Sequence, residues 1–372
     1  MKNTVISATA LCLAAGGVSA GALDRTGQPI NPLFEDGRYI EFSLSYIRPD
    51  LTGVNTNPRL GPVGTQSGDI GVGTLAFGGA YKADINDRWS YALILDRPYL
   101  AEVNYPTVPG YFGSASSAEF NSVALTGLLQ YNFNGGFSVF GGLRAQETDA
   151  KAAIAFAGNY TVEAEGDYGI GYVAGVAYEM PEIALRVSLT YSSEISHTNN
   201  VTEAVDTRAG RRTFNNTADF DTPQSLNLEF QTGIAQDTLL FGGVRWVDWS
   251  DFDLSPQVYS SSLVANQPLL SYVDDVTTYT LGVGRRLTDN WAVSGSLSYE
   301  ENTENLFTNL GPVDGATSLG LAAVYTQDKM TVTTGIRYAW LGDTTTAVQG
   351  VRAAEFNDNT AVAIGVRVGY NF

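Results

Sequence analysis

Polar and apolar residues alternate along most of this chain. At its C-terminal end, Val362, Ile364, Val366, Val368, Tyr370 and Phe372 fall on one side of an extended segment. Ala363, Gly365, Arg367, Gly369 and Asn371 fall on the other. A period of two is the signature of a strand. The first face suits hydrocarbon and the second a polar lumen. The same division recurs at Met330, Val332, Ile336, Tyr338 and Trp340 against Thr331, Thr333, Gly335 and Arg337, and again over 183–192, 226–231 and 122–133. One such strand would fit a soluble sandwich equally well. Repetition along the whole chain, with Tyr39, Tyr46, Trp89, Phe133, Phe137, Trp291, Tyr299 and Trp340 near the segment ends, instead predicts a membrane barrel with aromatic girdles.

The alternation predicts fourteen antiparallel strands, centred on 39–48, 71–84, 88–99, 119–133, 136–150, 166–179, 182–196, 223–234, 237–249, 274–287, 290–302, 315–327, 329–342 and 359–372. Short turns such as Asn134-Gly135, Met180-Pro181 and Thr288-Asp289 alternate with long connections over 49–70, 100–118, 151–165, 197–222, 250–273, 303–314 and 343–358. In outer-membrane barrels the short turns face the periplasm, so an even count places both termini there. The first strand should pair with the last, because lipid tolerates no open edge.

Composition agrees. Only 16% of residues are charged, Gly numbers 40 and Tyr 20, and the net charge is −18. That balance leaves no broadly basic face for nucleic acid. One Cys and one His exclude Cys/His metal clusters, and no metal or cofactor is expected. Residues 1–20 read as a signal peptide: Lys2, an apolar run from Ala8 to Ala15, then Val18-Ser19-Ala20. Cys12 lies inside it, so the exported chain carries no cysteine. No later stretch is long and apolar enough for a spanning helix. The organisation is therefore a leader (1–20), a short N-terminal segment (21–38) and one barrel (39–372).

Three segments carry a family resemblance. They are TPQSLNLEFQTGIAQDTLLFGGVRWVDWSDF (222–252), YVDDVTTYTLGVGRRLTDNWAVSGSLSYEEN (272–302) and YEMPEIALRVSLTYSSEISH (178–197). Following one another along the chain in family order, in a fourteen-strand chain, they resemble the FadL/TodX family of outer-membrane transporters for long-chain fatty acids and other hydrophobic compounds. The resemblance implies an all-β, 14-stranded transmembrane barrel with an N-terminal plug in its lumen. Only residues 21–38 precede the first strand, and Asn31-Pro32 is similar to the element that closes the plug. The plug is thus either reduced to this tail or largely absent. The tail's apolar content (Leu23, Ile30, Leu33, Phe34) predicts that it folds into the periplasmic end of the barrel. The resemblance also implies a third strand that opens the wall sideways. The matching residues are Asp96, Arg97 and Pro98, which could equally mark a strand that simply ends.

The long connections are rich in apolar residues. Phe112, Ile154, Phe156, Leu263, Leu269 and Leu270 could hold a hydrophobic ligand, each buried CH₂ contributing roughly 0.8 kcal/mol. Alternatively the loops pack on one another as a cap. Arg208, Arg211 and Arg212 could attract a carboxylate or lipopolysaccharide phosphates, or form a solvated cluster. Ser193 and Ser196 beside the sole His197 offer a Ser/His pair without a matched acid, and no enzyme is expected. Taken together, the sequence predicts a monomeric barrel passing hydrophobic small molecules, fatty acids first, across the bacterial outer membrane. The alternative is a general diffusion porin for small polar solutes.

Overall fold

The computed structural model describes residues 23–261 and 264–372; the leader and Leu263 lie outside the described residues. Fourteen antiparallel strands form the wall. They are β1 (Tyr39–Asp50), β2 (Thr74–Asp84), β3 (Trp89–Asp96, continued by Leu100–Asn104), β4 (Ser117–Asn132), β5 (Phe137–Ile154), β6 (Tyr160–Met180) and β7 (Leu185–Ser192, continued by Ile195–Thr207). There follow β8 (Gly210–Thr222, continued by Ser225–Ala235), β9 (Thr238–Val247), β10 (Val276–Arg286), β11 (Trp291–Glu300), β12 (Ala316–Gln327), β13 (Met330–Leu341) and β14 (Thr360–Asn371). β1 closes the ring on β14, in register from Tyr39 opposite Asn371 to Asp50 opposite Thr360. The outward face of β14 is the apolar one, with Ile364 52% exposed against 6% for Ala363.

Two of the expected long loops are wall instead. Residues 151–154 and 160–165 prolong β5 and β6, and 197–207 and 210–222 prolong β7 and β8. Their alternation continues, but its polarity inverts. In lower β5 the inward side chains are Ser138, Arg144 and Gln146 while Phe137, Val139 and Leu143 face out. In upper β5 the inward set is Ala152 and Ile154, and Asp149 and Lys151 are exposed. β6 repeats this, with Tyr168, Ile170 and Tyr172 exposed below and Glu163 and Glu165 exposed above, opposite buried Val162 and Ala164. A wall standing in lipid must be apolar outside, whereas a wall standing in water keeps its apolar side within.

The loop end is covered. Five short strands, Thr52–Asn55, Gln66–Asp69, Leu306–Phe307, Thr344–Val348 and Val351–Phe356, make a small sheet over β1, β13 and β14. Ile70, Tyr105, Tyr111, Leu341 and Phe356 pack beneath it.

The hydrogen-bonded ladder has two long interruptions. β2 and β3 pair from Asp84 opposite Ser90 to Gly79 opposite Leu95, and beyond the gap the chain leading into β2 meets β3 again in a single bridge, Gly71 opposite Val103. β6 and β7 pair from Met180 opposite Leu185 to Val173 opposite Ser192, then again only from Ala164 opposite Val201 to Thr161 opposite Ala204, in the same register.

Candidate functional site

The segment before β1 runs inside the ring. Asn31–Phe34 forms one turn of 3₁₀-helix started by Pro32. Ile30 and Leu33 are buried with Ala92, Ile94, Leu128, Phe140 and Val173 of the inner wall. Phe34 meets Phe140 edge-on, and the Arg186 guanidinium sits 4.6 Å above the Phe34 ring. Arg186 Nη2 also donates to Asn31 Oδ1 (2.8 Å), so both residues singled out near the plug, Asn31 and Pro32, are buried in the lumen. Further along, Asn227 Nδ2 donates to Gly27 O (3.0 Å), and Arg245 Nε donates to Asp24 Oδ2 at 2.7 Å. Residues of β3, β7, β8 and β9 therefore hold the segment from several sides.

The break in β3 falls on Arg97, Pro98 and Tyr99. Pro98 brings no N–H to the ladder, and the internal segment supplies partners instead. Arg25 N donates to Pro98 O (2.8 Å), Leu100 N donates to Leu23 O (3.0 Å), and Thr26 Oγ1 donates to Asp96 Oδ2 (2.7 Å). On the outer side Arg97 spans the gap, donating to Leu75 O (2.9 Å) and Asn121 Oδ1 (2.8 Å) with its guanidinium 5.6 Å from the Phe77 ring. A cavity lies at this gap. Ser43, Ser45 and Pro29 border it within, and it reaches Leu44, Phe77 and Leu95, which face outward.

Where wall polarity inverts, the lumen holds a second cavity. It is walled by Ala152, Val162, Ala164, Val201, Ala218 and Phe220 of β5 to β8, roofed by Leu254, Leu269 and Leu270, and bordered by Leu23. Glu119 and Lys151 also border it, but they pair with each other (2.5 Å), the Lys151 side chain being 67% exposed. The roof is clamped by buried Glu203. Its carboxylate accepts from Tyr160 Oη (2.7 Å), Val258 N (2.9 Å), Tyr259 N (3.0 Å) and Asn216 Nδ2 (3.1 Å). Burial and this bond hold the Tyr160 phenol well above its ordinary pKa. A third cavity lies in the polar lumen among Arg25, Arg186, Arg245, Arg337, Asp24 and Glu229.

Of the residues expected to meet ligand, Leu269 and Leu270 line the apolar cavity. Ile154 is buried in the cluster beside it, with Tyr160 and Tyr259. Phe112 and Phe156 do not line it; they meet edge-on at 5.6 Å, Phe112 also stacking on Tyr111. Arg208 stands in the β7–β8 turn, and Arg211 and Arg212 lie just beyond it on β8. Arg211 donates to Asp206, Asn159 O and Thr161, and none of the three reaches the cavity. His197 is buried, whereas Ser196 is exposed on the opposite side of β7, and Ser193 Oγ accepts from Tyr172 N. No Ser/His pair forms. The cavity walls on upper β5 to β8 were missed because their inward residues are small or apolar where a lipid-facing template expects them polar. The alternation Ala150, Ala152, Ile154 and Tyr160, Val162, Ala164 was the available signal.

The sequence matches, over residues 4–372, the family described as "Outer membrane protein transport protein (OMPP1/FadL/TodX)". No curated protein matches it. Among solved structures, a Pseudomonas aeruginosa FadL homologue superposes with a TM-score of 0.76 at 16% identity, covering 98% of each chain. The P. putida toluene transporter TodX superposes with a TM-score of 0.68 at 12% identity, covering 92% of this chain and 91% of its own. The Ralstonia pickettii toluene transporter TbuX gives 0.64 at 12% identity over 97% of each. At these identities the likeness establishes the fold.

Proposed function

The chain belongs to the OMPP1/FadL/TodX family of outer-membrane transport proteins, and from that premise we propose how it moves hydrophobic compounds. The apolar cavity under the loop-end roof receives the molecule, and the gap between β2 and β3 releases it sideways into the bilayer. Both termini and the short turns face the periplasm in this reading, the barrel acts as a monomer, and no energy source is needed. The internal segment 23–38 is a short plug that narrows the lumen. The observation that carries the reading is the inversion of wall polarity, which builds an apolar chamber above a polar lumen. A molecule held there meets mainly apolar side chains, and its passage straight down meets the charged cavity of Arg186, Arg245 and Glu229.

Long-chain fatty acids fit this chamber by their chains. Their carboxylate finds no inward-facing cation among its described lining residues, so uncharged hydrophobic molecules rank ahead. Arg208 and Arg212, on the β7–β8 turn and just after it, would act earlier, attracting anions or lipopolysaccharide to the rim. A general diffusion porin is the weaker reading, because residues 23–38 cross the lumen and bond to several strands.

The test is to fill the chamber. Ala218→Trp should cut uptake of a hydrophobic fluorescent probe by about ten-fold or more, the equivalent of ~1.4 kcal/mol. Mass spectrometry should show hydrophobic molecules retained by the purified native chain and lost from this variant. Uptake and retention unchanged by the filling would remove the chamber from the path.

A further inference from the structure

Behind the floor of the apolar chamber, which Asn199 lines, lies a buried polar cluster that is incompletely satisfied. Four side chains meet at the level where the wall changes character: Gln146 and Thr148 on β5, His197 and Asn199 on β7. Each is at most 2% exposed. Asn199 Nδ2 donates to Thr148 O (2.9 Å) and Glu165 O (2.6 Å), and its Oδ1 has no protein partner. Gln146 Oε1 accepts from Thr222 Oγ1 (2.8 Å), and its Nε2 has none. Thr148 Oγ1 is likewise unpartnered. The His197 ring stacks on Phe220 at 5.5 Å. Its Nδ1 stands 3.7 Å from Asp167 Oδ2, beyond hydrogen-bond length, and its Nε2 has no partner. Burial keeps the imidazole below its ordinary pKa, so it presents one N–H and one bare nitrogen.

The cluster meets the chamber at Asn199, which lines the cavity, and behind Phe220, which lines it and carries the His197 ring on its far side; Gln146, Thr148 and His197 stand one layer back. It also sits where the β6–β7 ladder is interrupted. There Gly169 lets Ile195 and Ser196 approach so closely that a Cβ would fall 2.4 Å from Ile195 Cγ2. Buried polar atoms left without partners are uncommon and costly. The floor offers donors (Gln146 Nε2, one imidazole N–H) and acceptors (Asn199 Oδ1, the bare imidazole nitrogen), but no cation.

We propose that this floor is a head-group subsite for uncharged amphiphiles, molecules with an apolar body in the chamber and a single hydroxyl or carbonyl group that enters at Asn199 and is met by Gln146, Thr148 and His197 behind it. Phenols and alcohols are the chemical class. A hydroxyl both donates and accepts, as this mixed set requires. A carboxylate would face Asn199 Oδ1 and the nearby Asp167 without a counter-charge. A hydrocarbon would leave the floor unpaired. The inference rests on the chamber being the transport site.

The experiment uses one skeleton with three heads, namely pentylbenzene, 4-pentylphenol and 4-pentylbenzoate. Binding to the full chain in lipid nanodiscs is measured by equilibrium dialysis, with empty nanodiscs subtracted. The phenol should bind about ten-fold tighter than either of the others, the scale of a hydrogen bond that the analogues cannot make. Asn199→Leu and His197→Phe should each collapse the phenol-to-pentylbenzene ratio towards one. Thr148→Val serves the same purpose where either variant fails to fold. A native chain that binds phenol and hydrocarbon alike, or prefers the benzoate, overturns the subsite while leaving the chamber standing. A phenol preference that survives the substitutions overturns its location. A native chain that binds none of the three overturns the chamber, and the subsite with it.

Discussion

The two interruptions of the wall are made good in different ways. At β2–β3 the backbone groups freed around Pro98 are taken up by a separate piece of chain, through Leu23 O and Arg25 N, and Arg97 bridges the outside. At β6–β7 the repair is local. Asp167 Oδ2 accepts from Thr198 N (3.0 Å), Ser193 Oγ accepts from Tyr172 N (2.9 Å), and Asn199 reaches across to Glu165 O. The first gap depends on what occupies the lumen, and the second is closed by the strands that form it. A wall that must open in response to its contents needs the first arrangement. A wall that only needs relief from the ladder, here at the level where its polarity inverts, can use the second.

Deleting residues 23–34 should separate the two most strongly. It removes the inner partners of the β3 break and the lumen's crossing segment together. Ion conductance in planar bilayers should rise several-fold, and hydrogen exchange around Tyr99 and Leu100 should quicken while amides 193–200 keep their protection. An unchanged conductance would show that the segment does not obstruct the lumen. Smaller, but still large, is the effect of Asp24→Ala. The Asp24 and Arg245 side chains are 4% and 13% exposed, and stranding a buried charge costs about 3–5 kcal/mol. Asp167→Ala at the other gap removes one hydrogen bond at a half-exposed site and should cost about 0.5–1.5 kcal/mol. Urea unfolding in micelles should rank the two in that order; the reverse order would contradict the comparison.

The smallest effect is on pH. Burial lowers the His197 pKa more than Asp167 and Asp221 raise it. Between that lowered value and the ordinary one near 6.5, the unfolded chain binds more protons than the folded chain. Stability around β7 should therefore fall as pH drops through this window and be complete above it. Hydrogen exchange of amides 195–201, corrected for intrinsic rates, should show this loss in the native chain and not in His197→Gln. A loss that persists in the variant assigns it to another group.

The difference between legible and illegible parts of the chain follows the same boundary. β14 could be read from Val362 to Tyr370 because one face stands in lipid and the other in a polar lumen, so alternation and polarity agree. Closure of β1 on β14 followed from the rule that lipid tolerates no open edge. Upper β5 to β8 alternate as strictly, but Glu163, Glu165, Asp219 and Asp221 take the outward positions. Judged by polarity alone, such segments look like solvated loops. The chamber they enclose was hidden for that reason, with only Leu269 and Leu270 of its roof visible in advance. The buried floor could not be read at all. Nothing in the sequence around Gln146 or Asn199 distinguishes a polar residue satisfied by its neighbours from one left with a free atom.

The threaded segment also constrains the order of assembly. Residues 23–38 lie inside a ring whose last act of closure joins β1 to β14 along twelve paired residues. Phe34 on Phe140 and the Asp24–Arg245 pair tie the segment to separate parts of the wall. These contacts can form while the ring is still open, with β3 and β7 to β9 gathering on the segment before the first and last strands meet. The contacts that narrow the finished lumen can then serve, earlier, as a mandrel on which the cylinder is wound. A mutation that loosens them should slow insertion as well as alter permeability.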